Sequence, residues 1–590
     1  MRKFNLRFLA FIPAIIFLVT GCVTTKLPES YKTTPQVLEM IGGKIDVNVQ
    51  GTIPPKSFSP KDKVEFTPIL KYDDQEKQLK TLTLIGDKFK GEGDVIYKKT
   101  GGTVKYSDVI TYEPAMDVSQ LVVAPKLYKK GKTLVQLPEV KLADGVIHTS
   151  DFIMHDEDLL HADKPTAQAL NMDLSEYYEP VTYATKEGTI WFIVNRYDLN
   201  LRMPLNKDPK AIEQLKAFND FMAQGWKIKS VDIDAWASPE GEETFNENLS
   251  VHRAQTGEKY FVDMIKKLAK QKDTKVTITD PEKELMLKPV GHGPDWDGFV
   301  KAVEASNMKE KNTILNVVRS QPDINKREKE IRNMTVIFEE LKNTILPPLR
   351  RVTMKLTCYE PKKTDEEIAR LAVTDPSQLT DKELLYAGTL TDNLDTKMQI
   401  YKAHMSMYPN DWKGYNNAGW VYLKEGKASD AMPLLEKANG LRANNPIILN
   451  NLGVAYAMSN DFAQAQTYYS QAKNLGAKED YNMGILLIPQ GDFDKAINMM
   501  SGKKCNYNIA LARMIKGDNA GAESELGCAS DNAQTFYLRA VLGARMGNTT
   551  MLYSNLKNAV NANPDYKEKA TKDREFLKYF NEPDFTNIVK

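Results

Sequence analysis

A near-repeat of 34 residues constrains this chain more than any other feature. Asn416-Asn417-Ala418-Gly419-Trp420-Val421-Tyr422 recurs as Asn450-Asn451-Leu452-Gly453-Val454-Ala455-Tyr456, and Ala431 and Ala438 recur at the same offset as Ala465 and Ala472. A period of this length holds one helix-turn-helix unit, which cannot bury its apolar faces alone and must stack on its neighbours. Glycine and alanine at fixed places let the two helices of a unit approach closely. Later units drift, since Gly484 follows Gly453 by 31 residues and Ala522 follows Ala496 by 26. Residues 380–590 are therefore expected to form an all-α solenoid of five or six helix pairs, some shortened.

The Gly-x-x-Tyr motif, with small residues 12 and 19 positions after the glycine, resembles the tetratricopeptide repeat. The resemblance implies a concave face that holds a segment of a partner protein. Tyr415, Asn416, Asn450 and Asn451 are the candidate partner-binding residues, while Tyr422 and Tyr456 are expected to serve packing. The partner itself is not identified by these residues.

At 590 residues the chain is too long for one core and suggests about four domains. Its 79 basic and 78 acidic side chains leave a formal charge of +1, which offers no basic field for nucleic acid. Four cysteines and six histidines are too few and too scattered for a zinc module. No phosphate-binding loop, nucleophile elbow or zinc-protease motif is present. The expectation is a protein without cofactor, metal or catalytic residues. A rival reading, an enzyme acting on cell-wall sugars or peptides, rests only on the carboxylates Asp232, Asp234 and Glu240.

Residues 1–21 combine a basic start (Arg2, Lys3, Arg7) with an apolar run from Phe8 to Val19, the pattern of an export signal. The tail Leu18-Val19-Thr20-Gly21-Cys22 resembles the lipobox of bacterial lipoproteins. That resemblance implies cleavage before Cys22, acylation of its thiol and new amino terminus, and attachment to the outer membrane through lipid alone. Val23-Thr24-Thr25-Lys26 lacks the acidic run that sends some lipoproteins to the cell surface, so a periplasm-facing position is expected. In that oxidising setting Cys505 and Cys528, 23 residues apart, either pair or, like Cys358, remain small buried hydrophobes.

Between an anchor and linker (22–43) and the repeats, two further bodies are expected. Residues 44–187 carry short alternating runs broken by Gly, Pro and Asp, which read as an all-β, sandwich-like module; the runs flanking Gly101-Gly102 read as a hairpin. Residues 188–360 alternate strands with helices, with strands over Thr189 to Val194, Val231 to Trp236, Val276 to Thr279 and Arg351 to Leu356. Gly291-His292-Gly293 reads as a turn and Asn246 as a helix cap. A mostly helical insertion falls at about 294–344 and a linker at 361–379.

In that second body, Asn246-Glu247-Asn248-Leu249-Ser250-Val251-His252-Arg253-Ala254 resembles the N-x-x-L-S-x-x-R-A signature of the OmpA-like peptidoglycan-binding domain, and Leu349-Arg350-Arg351-Val352 resembles that family's closing strand. The resemblance implies an α+β fold that binds the diaminopimelate of a peptidoglycan stem, with Arg253 taking its carboxylate and Ser238, Asn246, Leu249 and Ser250 completing the site. Ser238 stands where the family has an ammonium-binding aspartate, so Asp234, Glu240 or Glu242 must supply the missing charge. Two functions follow: a wall-binding lipoprotein that recruits a protein through its repeats, or an adaptor of an envelope assembly or secretion complex whose OmpA-like fold no longer binds peptidoglycan.

Overall fold

The computed structural model describes residues 25–590; the expected signal and Cys22 lie outside the described residues. The chain divides into two compact units: residues up to Leu174 pack with Thr391–Lys590, and Ser175–Leu390 form the other. The β-rich region and the C-terminal helices are thus parts of one unit.

The β-rich part has an eight-stranded and a five-stranded sheet. Lys44–Ile53 alternates exposed and buried at every residue, as a strand with one wet face must. Leu38, Val47, Val49 and Leu121 from the larger sheet share a core with Val64, Phe66, Leu84 and Leu127 from the smaller. Lys32–Thr34 and Val37–Ile41 already belong to the larger sheet, so structure begins inside the expected linker. No hairpin forms at Gly101-Gly102. Asp94–Ile96 pairs in parallel with Leu82–Gly86, and Gly102–Thr111 pairs with Lys44–Ile53, leaving one bridge between Tyr97 and Gly101. Periodicity identifies strands but not their partners.

In the other unit a four-stranded sheet has the order β1-β4-β2-β3, where β1 is Tyr183–Trp191, β2 Ile228–Ala237, β3 Leu287–Pro294 and β4 Arg351–Tyr359. Helices α1 (Pro209–Ala223) and α2 (Glu243–Ala269) cover one face. Val231, Ile233 and Ala235 of β2 alternate inward to share a core with Phe261 and Ile265 of α2. The third strand is β3, which includes Gly291-His292-Gly293; Val276 to Thr279 forms no strand. Glycine at 291 permits the approach of α2, because a Cβ there would lie 2.4 Å from the Val251 nitrogen. α2 starts before Asn246, which therefore sits in its first turn and does not cap it. Four helices precede β4: α3 (Trp296–Ala305), α4 (Lys311–Ser320), α5 (Ile324–Asn333) and α6 (Thr335–Thr344). They form their own apolar core around Phe299, Ile314 and Leu341. The expected linker 361–379 contains a helix, Asp365–Thr374.

Among the described residues five consecutive helix pairs follow: α7 (Trp412–Lys424) with α8 (Ala428–Leu441), α9 (Pro446–Met458) with α10 (Phe462–Asn474), α11 (Asp480–Gln490) with α12 (Phe493–Met500), α13 (Tyr507–Ile515) with α14 (Asn519–Cys528), and α15 (Ala533–Met546) with α16 (Thr549–Ala562). A Cβ at Gly453 would lie 2.5 Å from the Tyr469 ring, which explains the small residue where paired helices cross. Cys505 and Cys528 are joined by a disulfide, whereas Cys358 is free and buried. Arg545 of α15 pairs with Glu575 and ties these helices to the β-rich part through Glu39 at 2.9 Å.

Candidate functional site

The inner groove of the helix pairs is filled by the chain itself. After the β-rich part, Phe152–Asp163 runs extended along the helices, and one asparagine from each of four pairs grips its backbone. Asn417 of α7 accepts from the Ala162 N–H (2.8 Å) and donates to the Ala162 carbonyl (3.3 Å). Asn451 of α9 does the same for Leu160 (2.9 and 2.6 Å), Asn482 of α11 for Asp158 (2.7 and 3.1 Å), and Asn508 of α13 for Met154 (2.9 and 2.8 Å). A primary amide carries a donor and an acceptor side by side, so it satisfies both polar groups of one backbone residue as a neighbouring strand would.

The amides also bond to one another. Asn416 donates to Asn417, Asn451 to Asn416, Asn450 to Asn451 and Asn482 to Asn450, at 2.9 to 3.1 Å. The ladder runs unbroken from Asn417 to Asn482, and Asn508 donates instead to Asp156. Asn416, Asn450 and Asn451, expected to meet a partner, are instead buried beneath this strap, and Tyr415 packs against an apolar core. The expectation of an open groove at these residues is corrected: their hydrogen-bonding groups hold residues 158–162 of the same chain.

Side chains fix the strap at both ends. Phe152 enters the core of the last helix pairs, with the Lys569 ammonium 3.6 Å from its ring centre. At the other end His161 Nε2 lies 2.6 Å from the Tyr401 hydroxyl and His161 Nδ1 3.1 Å from Asp163. Burial raises the Asp156 carboxyl above the ordinary range, although the Tyr481 hydroxyl and Asn508 amide donate to it. Burial pushes Glu479 up to about 8, and its Oε1 and the nearby buried Tyr469 hydroxyl have no hydrogen-bond partner among the described residues.

In the α+β unit the expected ligand residues come together, but around a closed site. Arg253 is fully buried. Its Nε donates to the Arg196 carbonyl (3.0 Å), Nη1 to Trp236 (3.0 Å) and Nη2 to Ile193 (3.2 Å). Burial and the proximity of Arg350 lower it to about 9. The guanidinium thus braces the loop after β1 and is not available to a ligand carboxylate. Ser238 and Glu240 are also engaged: Ser238 Oγ donates to Glu240 Oε1 (2.6 Å), and Arg350 reaches the same oxygen through Nε (2.9 Å) and Nη2 (2.8 Å). Glu240 is indeed the carboxylate beside Ser238, but it neutralises Arg350.

The other signature residues are structural. Asn246 donates to the carbonyls of Glu240 and Gly241, Leu249 is buried, and Ser250 accepts from the Gly293 N–H. Asp234 lies 2.6 Å from His292 on the opposite face of the sheet, and Glu242 is exposed. Among the described residues no group of three metal-ligating side chains is placed to hold an ion.

The tetratricopeptide repeat family matches residues 422–488. The C-terminal region carries tetratricopeptide repeats. A tetratricopeptide repeat protein from Parabacteroides merdae is 14% identical, covers 35% of this chain and 90% of its own, and has a TM-score of 0.30. PilF of Pseudomonas aeruginosa is 13% identical over 36% of this chain and all of its own, with a TM-score of 0.26. The Cut9–Hcn1 complex is 11% identical over 64% of this chain and 82% of the other, with a TM-score of 0.31. No curated protein matches.

Sequence reasoning missed Asn417, Asn482, Asn508, Arg350 and the strap. A signal for the asparagines was present: each of Asn417, Asn451, Asn482 and Asn508 stands two places before the small residue of its helix, Gly419, Gly453, Gly484 or Ala510. In the fifth pair Leu538 takes that position, and Gln534 reaches the carbonyl of Ile153 instead. The groove of the repeats is occupied from within.

Proposed function

We propose that this protein is a non-enzymatic, lipid-anchored scaffold on the periplasmic side of the outer membrane, acting as an adaptor in an envelope assembly or secretion complex. The observation that carries this reading over wall binding is the burial of Arg253 against three backbone carbonyls. A guanidinium binds a carboxylate bidentately only when two adjacent N–H groups are free. Here the signature helix and Arg-Arg-Val strand support an OmpA-like fold kept as a docking body. The anchored Cys22 rests on the lipobox resemblance, and the filled groove favours recruitment of a protein through other surfaces of the repeats.

The test is sedimentation of the purified full chain with peptidoglycan sacculi. Retention is expected to equal that of a non-binding control. Saturable retention, competed by free meso-diaminopimelate and lost in Arg253→Lys, would restore wall binding through Arg253. For the anchor, Cys22→Ala is expected to move the protein from the membrane to the soluble fraction.

A further inference from the structure

The helical insertion builds a cleft that the signature residues do not explain. Its volume is about 400 Å³, within the range of small-molecule sites. It is lined by Glu240-Gly241-Glu242, by Val194, Asn195 and Phe245, and by Arg332 of α5 and Phe338 of α6.

Each charged group there is held by one edge and open at another. Glu240 accepts Ser238 and Arg350 through Oε1 alone, and Oε2 takes no hydrogen bond among the described residues. The Glu242 carboxylate is exposed. Arg332 is positioned by an ion pair with Glu328, which also accepts the Gly241 N–H at 2.8 Å. That pair uses one Nη of a half-exposed guanidinium, whose other N–H groups make no hydrogen bond among the described residues. Phe245, about half exposed, leaves an aromatic surface uncovered beside these charges.

A ligand matching this lining needs a cationic end for Glu240 and Glu242, an anionic end for Arg332, and an apolar stem for the phenylalanines. We propose that the cleft binds an α-amino acid with an apolar side chain. The ammonium meets Glu240 Oε2 and Glu242, the carboxylate meets the open edge of Arg332, and the side chain lies against Val194, Phe245 and Phe338. Arg253 takes no part, so the assignment stands apart from the adaptor reading.

The experiment is isothermal titration of the full chain with L-leucine, N-acetyl-L-leucine, L-leucinamide and meso-diaminopimelate. L-Leucine is expected to bind saturably, and the three others, lacking the ammonium, the carboxylate or the apolar stem, at least tenfold more weakly. Glu242→Gln replaces an exposed side chain, and Arg332→Lys keeps a cation for Glu328 while removing the planar fork; with a wild-type thermal midpoint confirming the fold, each is expected to weaken L-leucine at least tenfold. Absence of saturable L-leucine binding, equal binding of either capped derivative or of diaminopimelate, or indifference to both substitutions overturns the proposal.

Discussion

Replacing Asn451 by alanine tests whether the asparagine ladder holds the strap. The side chain makes four hydrogen bonds: two with the Leu160 backbone, one to Asn416 Oδ1 and one from Asn450 Nδ2. Two of the four partners have a second contact. The Leu160 carbonyl also receives Asn416 Nδ2 at 3.4 Å, and Asn450 Nδ2 also donates to the Asp158 carbonyl at 3.0 Å. The Leu160 N–H and Asn416 Oδ1 are left unpaired in a buried place. At about 2 kcal/mol for each orphaned group, the strap should lose roughly 4 kcal/mol of local stability. That corresponds to about three decades in the equilibrium for local opening. Hydrogen exchange followed by mass spectrometry reads this directly over residues 157–162, with the exposed Asn498→Ala as control. If Asn451→Ala remains folded and those amides exchange at the wild-type rate, the ladder does not secure the strap and the reasoning is wrong.

Three further outcomes are expected. Glu479 has a folded pKa raised to about 8 by burial, so its contribution is fully present below about pH 4.5 and is lost as pH rises through about 8. Glu479→Gln should therefore melt progressively higher than wild type between pH 5 and pH 8, by about 3 kcal/mol of stability at pH 7; a gap that does not change with pH would contradict this. Arg253→Met should destabilise the α+β unit by roughly 3 kcal/mol in chemical denaturation, because three carbonyls lose their donor; an unchanged midpoint would show that the guanidinium braces nothing. Gly453→Ala should cost about 1–3 kcal/mol, since the new methyl meets the Tyr469 ring, and a thermal midpoint equal to wild type would show that the crossing has slack.

The sequence displayed the repeats clearly because their information is local: glycine, alanine and tyrosine recur at fixed intervals along one helix pair. The double asparagines are equally visible in the sequence, but they read as partner-binding residues, whereas they hold the chain's own strap. Phe152–Asp163 falls within the expected β module, and nothing in its own pattern marks a segment whose hydrogen-bond partners on the helices lie 240 to 382 residues away. The same limit explains the false hairpin at Gly101-Gly102, where turn chemistry is local but pairing is not. Arg253 was placed on the right helix, yet its availability depended on three carbonyls from two other segments. The 23-residue spacing of Cys505 and Cys528 is compatible with both pairing and burial, and only their approach in the folded helices decides for the disulfide.

The strap also makes the solenoid a measuring device. From Leu160 to Ala162, two residues of extended chain, about 7 Å, correspond to one helix pair. Inserting a single residue between them would turn every following side chain to the wrong face and offset the next backbone pair from its amide. The step is again two residues from Leu160 to Asp158 but four from Asp158 to Met154, so growth or loss of a helix pair among the first three must be matched by a two-residue change 255 to 324 positions upstream. Two distant stretches of the gene product are bound to change length together.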